Sequence, residues 1–164
     1  MVSSRAIIPS AQRMIELEGY IEDIAASEGV PPAIVKGVAW QESKFDELSY
    51  RYNYSNPADR SYGLMHLTIP TASEIYSKAI GYPVTIQAQS LYEPIFNIWL
   101  GTRYLKTLYD RYRNWDEAVA AYNAGAPRYT QAGMFLNQGY VNAVFKVANL
   151  LGSYVTSLAQ RVFQ

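Results

Sequence analysis

Apolar positions recur at helical spacing over most of this chain. Met14, Leu17, Ile21 and Ile24 step by three and four residues, which places them on one face of a helix from Ser10 to Gly29. Gly29 supplies a stop and Pro31-Pro32 a start, so a second helix is expected from about Pro32 to Ser43, with Val35, Val38 and Glu42 on one line. Pro70 to Ile80 reads as a short helix capped by Thr68 or Thr71 and broken by Gly81-Tyr82-Pro83. Glu93 to Arg113 reads as a long helix with Pro94 in its first turn. Ile95, Trp99, Thr102, Leu105, Tyr109 and Tyr112 share a face of it, and Gly101 suits close approach of another helix. Asn114-Trp115-Asp116-Glu117 has the form of a capped start, and the helix it opens runs to Ala124, ended by Gly125 and Pro127. Gln138 to Phe163 is the longest stretch, with Val141, Val144, Ala148, Leu151, Val155, Leu158 and Val162 keeping the step throughout.

Little else is periodic. Lys44 to Tyr62, with Asn56-Pro57 and many Tyr, Asn, Ser and Asp residues, reads as an irregular loop. Val84 to Leu91 is a connector with no clear signal, and a short extended piece near Gly63 to Leu67 is the one strand-like segment. No repeat, low-complexity tract or linker divides the chain. The expected fold class is mainly α, with at most a vestigial β-hairpin, in a single domain over residues 1–164.

Composition narrows the function classes. At 164 residues, with 49% hydrophobic and 17% charged, the chain is globular and long enough for a real core. Fourteen basic and fourteen acidic residues leave no net charge and no basic stripe, which argues against a nucleic-acid partner. With no cysteine, disulfides, thiolate catalysis and Cys-based zinc sites are excluded. The single histidine, His66, argues against a His-rich metal site, and a Ser-His-Asp triad would have only that residue as its base. No metal or cofactor is expected. No segment reaches the roughly 20 apolar residues of a membrane span, and Met1 to Pro9 is too short for a signal-peptide core. The expectation is a trimmed leader or a phage protein released at lysis or carried in a virion. The 15 tyrosines and three tryptophans serve mostly as core and rim, with a minority expected to line a groove. A tyrosine's flat face and hydroxyl suit a sugar ring's C–H face and hydroxyl rim.

Three segments carry candidate chemistry. Glu42 shares an apolar helix line near a helix C-terminus, where desolvation and the helix dipole both favour the protonated carboxyl. Such a group suits a general acid near neutral pH. In Ser61-Tyr62-Gly63-Leu64-Met65-His66, Gly63 would let the backbone approach a ligand, Met65 would form an apolar wall, and His66 sits beside the turn. In Ala121-Tyr122-Asn123-Ala124-Gly125, an ordinary helix end explains Gly125, but it leaves two polar residues wedged among alanines. A Tyr hydroxyl and an Asn amide there can orient a carboxyl and a substrate amide.

Taken in order, Glu42-Ser43, Gly63-Leu64-Met65-(His66), Ala121-Tyr122-Asn123-Ala124-Gly125 and Tyr140-Val141-Asn142-Ala143-Val144 resemble the motifs of soluble lytic transglycosylase catalytic domains, relatives of goose-type lysozyme. The stretch Pro94 to Tyr109, with Phe96-Asn97-Ile98 and Leu100-Gly101-Thr102-Arg103-Tyr104-Leu105, resembles the family helix before the Tyr-Asn loop, and the likeness covers roughly Ile21 to Leu150. The resemblance implies a lysozyme-like domain with a groove for peptidoglycan glycan strands, acting in the envelope or outside the cell, as a monomer. It implies that Glu42 is the single catalytic acid/base and that Ser43 supports it. It further implies that Gly63, Met65 and His66 line the groove, that Tyr122 and Asn123 contact acid or substrate, and that Tyr140 approaches Glu42. The family's N-acetyl-binding serine has two candidates, Ser55 and Ser61. His66 stands where the family usually has Gln, and imidazole cannot present an amide's paired donor and acceptor. The loop from Lys44 to Tyr62 is also long for the family.

The reaction so implied cleaves the bond between N-acetylmuramic acid and N-acetylglucosamine and leaves a 1,6-anhydro end. A goose-type muramidase would instead want a second carboxylate to activate water, for which Asp46, Glu47 and Asp59 are the loop candidates. A phage-borne lysin, or a non-catalytic wall-binding module, would share the same fold.

Overall fold

The structure, a computed structural model, describes residues 11–52 and 60–162, with side chains through Leu150. Six α-helices carry the fold: α1 (Ala11–Glu28), α2 (Pro32–Ser43), α3 (Ile69–Ile80), α4 (Pro94–Tyr112), α5 (Trp115–Ala124) and α6 (Gln138–Val162). A three-stranded antiparallel sheet, β1 (Tyr50–Tyr52), β2 (Arg60–Tyr62) and β3 (Leu67–Thr68), lies between α2 and α3, and a 3-10 helix spans Ala88–Tyr92.

The helix boundaries follow local chemistry. Gly29 adopts φ +67° after α1, and Pro32 opens α2. Thr68, not Thr71, caps α3: its hydroxyl accepts from Thr71 N at 3.3 Å. Asn114 Oδ1 accepts from Glu117 N at 3.0 Å to start α5, and Gly125 at φ +78° ends it.

Leu17 and Ile21 of α1, Val35 and Val38 of α2, Ile98 and Leu105 of α4, Val119 of α5, and Val141 and Val144 of α6 form one buried core. α2 is buried without a break from Ile34 to Ala39 and packs most closely on α6. A Cβ on Gly37 would lie 2.5 Å from the Val144 carbonyl oxygen, so glycine sets that spacing. Within the buried run, Lys36 reaches outward to Glu22 at 2.6 Å.

Four expectations are corrected. The stretch from Lys44 to Tyr62 is not wholly irregular, because it contains β1 and β2. They pair Tyr50 with Tyr62, Arg51 with Ser61 and Tyr52 with Arg60. Three-residue strands are too short for alternation to register. The strands also flank the Gly63 to His66 segment, which is itself a turn. The buried face of α4 is rotated: Asn97, Ile98, Gly101, Thr102, Leu105 and Leu108 point inward, while Ile95 is exposed. A polar residue used inside hides that face from an apolar pattern. Gly101 makes room for the Met65 side chain, not for a helix: a Cβ there would lie 2.3 Å from Met65 Sδ. The helical backbone of α6 continues to Val162, while the side chains of Leu151, Val155, Leu158 and Val162 lie outside the described residues, as do Ser55 and Asp59.

Candidate active site

Glu42 sits in the last turn of α2. Lys44 (φ 58°) and Phe45 (φ 63°) then take left-handed conformations in succession and turn the chain away sharply. The Phe45 ring is buried against Trp40, which anchors the reversal. The Glu42 side chain is only 8% exposed. Its Oε1 accepts from Tyr140 Oη at 2.6 Å, and its Oε2 lies 3.2 Å from His66 Nδ1.

Tyr140 comes from the first turn of α6. Burial, then the neighbouring Glu42 charge and the hydrogen bond to it, raise its phenol well above the ordinary value, so the phenol stays protonated and donates. Tyr122, from α5, is likewise raised well above the ordinary phenol value by burial and by Glu42. Its hydroxyl, however, donates to the Met65 carbonyl at 2.8 Å rather than to the acid. Asn123 is exposed; its Oδ1 accepts from Asn137 Nδ2 at 3.1 Å, and the residue lines the cleft.

The turn between β2 and β3 is built for support. Gly63 takes φ +74°, and a Cβ there would lie 2.2 Å from Leu91 O and 2.5 Å from Asn97 Nδ2. Its glycine thus admits other parts of the protein, not a ligand. Ser43 Oγ donates to Leu64 O at 2.8 Å, and Asn97 Oδ1 accepts from Met65 N at 2.8 Å. Asn97 Nδ2 donates to Tyr62 O and Leu91 O at 3.0 and 2.8 Å. The main-chain groups expected to bind sugar are therefore bonded internally, and Met65, fully buried, is not a groove wall. Of this turn only His66 reaches the cleft. It adopts φ 45°, uncommon for a non-glycine residue, and its Nε2 lies 2.7 Å from Ser49 Oγ.

Around Glu42 runs a groove. On one side a hollow of about 230 Å³ is lined by Glu42, Arg51, Ser61, His66, Thr68, Tyr122 and Asn123. It continues past Tyr104 and Gly125 through shared walls. On the other side a hollow of about 310 Å³ is lined by Glu42, Asp46, Leu48, Ser49 and Tyr50 among others. Glu42 lies where the two meet. A larger hollow of about 400 Å³, lined by Arg13, Ile24, Ile95 and Trp99 among others, is mostly apolar and holds no comparable convergence of hydroxyl, imidazole and carboxyl groups. Of the loop acids, Asp46 shares a hollow with Glu42, whereas Glu47 is held by Arg13 at 2.7 Å. Among the described residues, no group of three acidic, His or Cys side chains is placed to hold a metal ion. None of their helices is long and apolar enough to cross a membrane.

The sequence profile of the Transglycosylase SLT domain matches residues 19–134, well over half of the chain. The chain belongs to this family. The SLT domain also resembles solved structures. An inactive mutant of lytic transglycosylase Slt from Pseudomonas aeruginosa matches with a TM-score of 0.67 and 24% identity, over 91% of this chain and 25% of that one. The 70-kDa soluble lytic transglycosylase Slt70 of Escherichia coli matches with a TM-score of 0.55 and 23% identity, over 87% and 19%. A complex of the 70-kDa soluble lytic transglycosylase with bulgecin A matches with a TM-score of 0.54 and 22% identity, over 87% and 19%. At these identities the likeness is one of fold, and the SLT domain spans a quarter or less of each of those proteins. No curated protein sequence matches it.

Four residues at or beneath the SLT domain site are not marked as site residues by the sequence: Ser49, Arg51, Thr68, which reads only as a helix cap, and Asn97, which reads only as part of the family-like helix. Ser49 and Arg51 lie in the stretch read as loop, and only the β1–β2 register brings them to Glu42. Asn97 was visible as a polar residue beside Ile98 and Gly101, a position that marks it as internal once α4's inward face is known.

Proposed function

We propose that this SLT domain is a peptidoglycan lytic transglycosylase that cleaves the β-1,4 bond between N-acetylmuramic acid and N-acetylglucosamine, with Glu42 as the single acid/base. The observation that carries this reading is the Glu42 carboxyl itself: shielded, held at both oxygens, and set midway along a groove. Glu42 donates its proton to the glycosidic oxygen as the bond to C1 of the muramic acid breaks. The same sugar's acetamido carbonyl oxygen closes on C1 and takes up the developing positive charge. Glu42, now a carboxylate, removes the proton from the sugar's 6-hydroxyl. That oxygen then displaces the acetamido oxygen at C1 and closes the 1,6-anhydro ring. The nucleophile is tethered, so its effective concentration replaces that of water, and substrate assistance removes the need for a second carboxylate. Tyr140 keeps a donor on Oε1 through both halves, and Asn123, Ser61 and Arg51 supply polar contacts along the groove. The site of action is the cell envelope or the extracellular space, with glycan strands as the partner.

Asp46 supports a second reading. It lines a hollow with Glu42, and its Oδ1 accepts from Leu48 N at 3.0 Å, which holds the carboxylate in place. Used as a base toward water, it would make the protein a muramidase. Mass spectrometry of fragments released from purified sacculi separates the two. Anhydro-muramoyl ends, abolished by Glu42→Gln and kept in Asp46→Asn, support the transglycosylase. Reducing ends that vanish with Asp46→Asn establish the hydrolase instead.

A further inference from the structure

We propose that Ser49 is a positioning residue for the acid/base: its hydroxyl donates to His66 Nε2 and so selects the imidazole tautomer that presents Nδ1–H to Glu42 Oε2. The role assigned to Glu42 rests on the reading above. The tautomer itself follows from the geometry while Glu42 is a carboxylate.

A neutral imidazole has one N–H and one lone pair. Here one ring nitrogen faces a carboxylate oxygen at 3.2 Å and the other a hydroxyl oxygen at 2.7 Å. In the half of the reaction in which Glu42 is a carboxylate it only accepts, so the attractive arrangement then puts the proton on Nδ1. Nε2 is then a bare acceptor, and Ser49, which can donate or accept, must donate. Neutral histidine in water prefers the opposite tautomer, with the proton on Nε2. The site therefore has to favour the Nδ1–H form, and the Ser49 hydroxyl is the group placed to do so. The logic is that of a triad in which a carboxylate and a hydroxyl hold a histidine between them, but with the working group at the other end: the carboxylate acts on substrate and the serine supports.

Backbone geometry shows a built arrangement. Gly63 N donates to Ser49 O at 2.8 Å, and His66 N donates to Gly63 O at 3.1 Å, so one buried glycine ties both partners together. The left-handed φ of His66 turns its ring into the gap between Ser49 and Glu42. Ser49 N donates to Asp46 O at 3.1 Å, which fixes its other side. An amide can serve an acid/base with either of its two ends. A rigid ring does so only if something governs where its proton sits.

His66 is the chain's one histidine, so selective 15N labelling of histidine yields a single pair of ring-nitrogen signals. With the ring uncharged and Glu42 ionised, the parent is expected to show a protonated Nδ1 and a bare Nε2, and Ser49→Ala to move both signals toward the reversed pattern. A parent with its proton on Nε2, or a Ser49→Ala spectrum identical to the parent's, overturns the proposal. This measurement needs no turnover, so it stands or falls apart from the transglycosylase reading. On purified glycan strands, Ser49→Ala is expected to lower kcat by up to roughly tenfold, the rate equivalent of one hydrogen bond, with KM unchanged and with Ser49→Thr restoring most of the rate. A raised KM with kcat intact would mean that Ser49 contacts the glycan, and would also overturn it.

Discussion

Glu42 Oε1 is served from the helical side of the molecule and Oε2 from the sheet side, and the two sides gain their accuracy from different physics. On the helical side, Gly37 lets α2 press against Val144 of α6, and that contact carries Tyr140 to the acid. Regular backbone and apolar burial do the positioning. On the sheet side the strands are two or three residues long and cannot hold a site through ladder bonds alone. Asn97 supplies what they lack, since one buried amide makes three hydrogen bonds to the turn and its surroundings. Strain is stored there as well, in His66, Lys44 and Phe45. The Glu42 carboxyl is thus held by one side that tolerates small shifts and another that does not.

The largest expected effect breaks the sheet side. Gly63→Ala would place a methyl 2.2 Å from the Leu91 carbonyl at φ +74°. The left-handed conformation costs about 1–2 kcal/mol for alanine, and the forced shift of the backbone adds about 1–3 kcal/mol. A loss of about 2–5 kcal/mol in urea unfolding is expected. Gly37→Ala brings a comparable contact, 2.5 Å from Val144 O, without the conformational penalty. It should therefore lose only about 1–3 kcal/mol. Equal losses in the two variants would remove the distinction between the sides.

Legibility in the sequence divides along the same line. Helices α1, α2, α5 and α6 were readable because Leu17, Ile21, Val35, Val38, Val141 and Val144 repeat at 3.6-residue spacing and because Pro, Asn and Gly mark the ends. The expectation of a mainly α, lysozyme-like fold with little strand agrees with the structure and with the family match. Glu42 and Tyr140 were singled out from ordered motifs, and the structure places them 2.6 Å apart. The sheet side is legible only in part: the sequence marks Ser61 and His66, which both line the hollow beside Glu42, but not the residues that hold them. Hairpin pairing joins residues distant in sequence without any local pattern, so Ser49 and Arg51 passed as loop. For Gly63 and Met65 the sequence reveals a turn but not which way its groups face; Asn97, Leu91 and Tyr122 take up that space and those bonds.

A smaller effect sharpens the helical side. Tyr140→Phe removes the donor to Oε1 while α6 keeps its packing. A hydrogen bond to a charged group contributes about 1.5–3 kcal/mol, which corresponds to roughly a 10- to 100-fold fall in kcat if it matters equally in the transition state. Tyr122→Phe, whose hydroxyl goes to Met65 O, should reduce turnover less. Both phenols also carry a pH signature. Each is raised well above 10.0 in the folded protein, chiefly by burial. Their stabilising contribution is full below the unfolded value of 10.0 and is lost as pH rises beyond it, because the unfolded chain releases those protons and the folded one retains them. Urea midpoints should therefore fall above about pH 10 in the parent, and fall less steeply in either Phe variant. Parallel declines in parent and variants would show that other groups set the alkaline limit.

The smallest effect tests whether the buried face of α4 contributes by bonding or merely by filling space. Asn97 and Thr102 are both fully buried there, but Asn97 is fully bonded while Thr102 Oγ1 has no hydrogen-bond partner among the described residues. An unmade buried bond is destabilising, and replacing the hydroxyl with a methyl of similar shape removes that penalty without opening a cavity. Thr102→Val is therefore expected to be neutral or to stabilise by up to about 1 kcal/mol, with turnover unchanged. Thermal unfolding of that variant beside the parent decides the point. A clear drop in Tm would mean that the Thr102 hydroxyl is bonded in solution, and α4 would then brace the turn through two polar side chains instead of one.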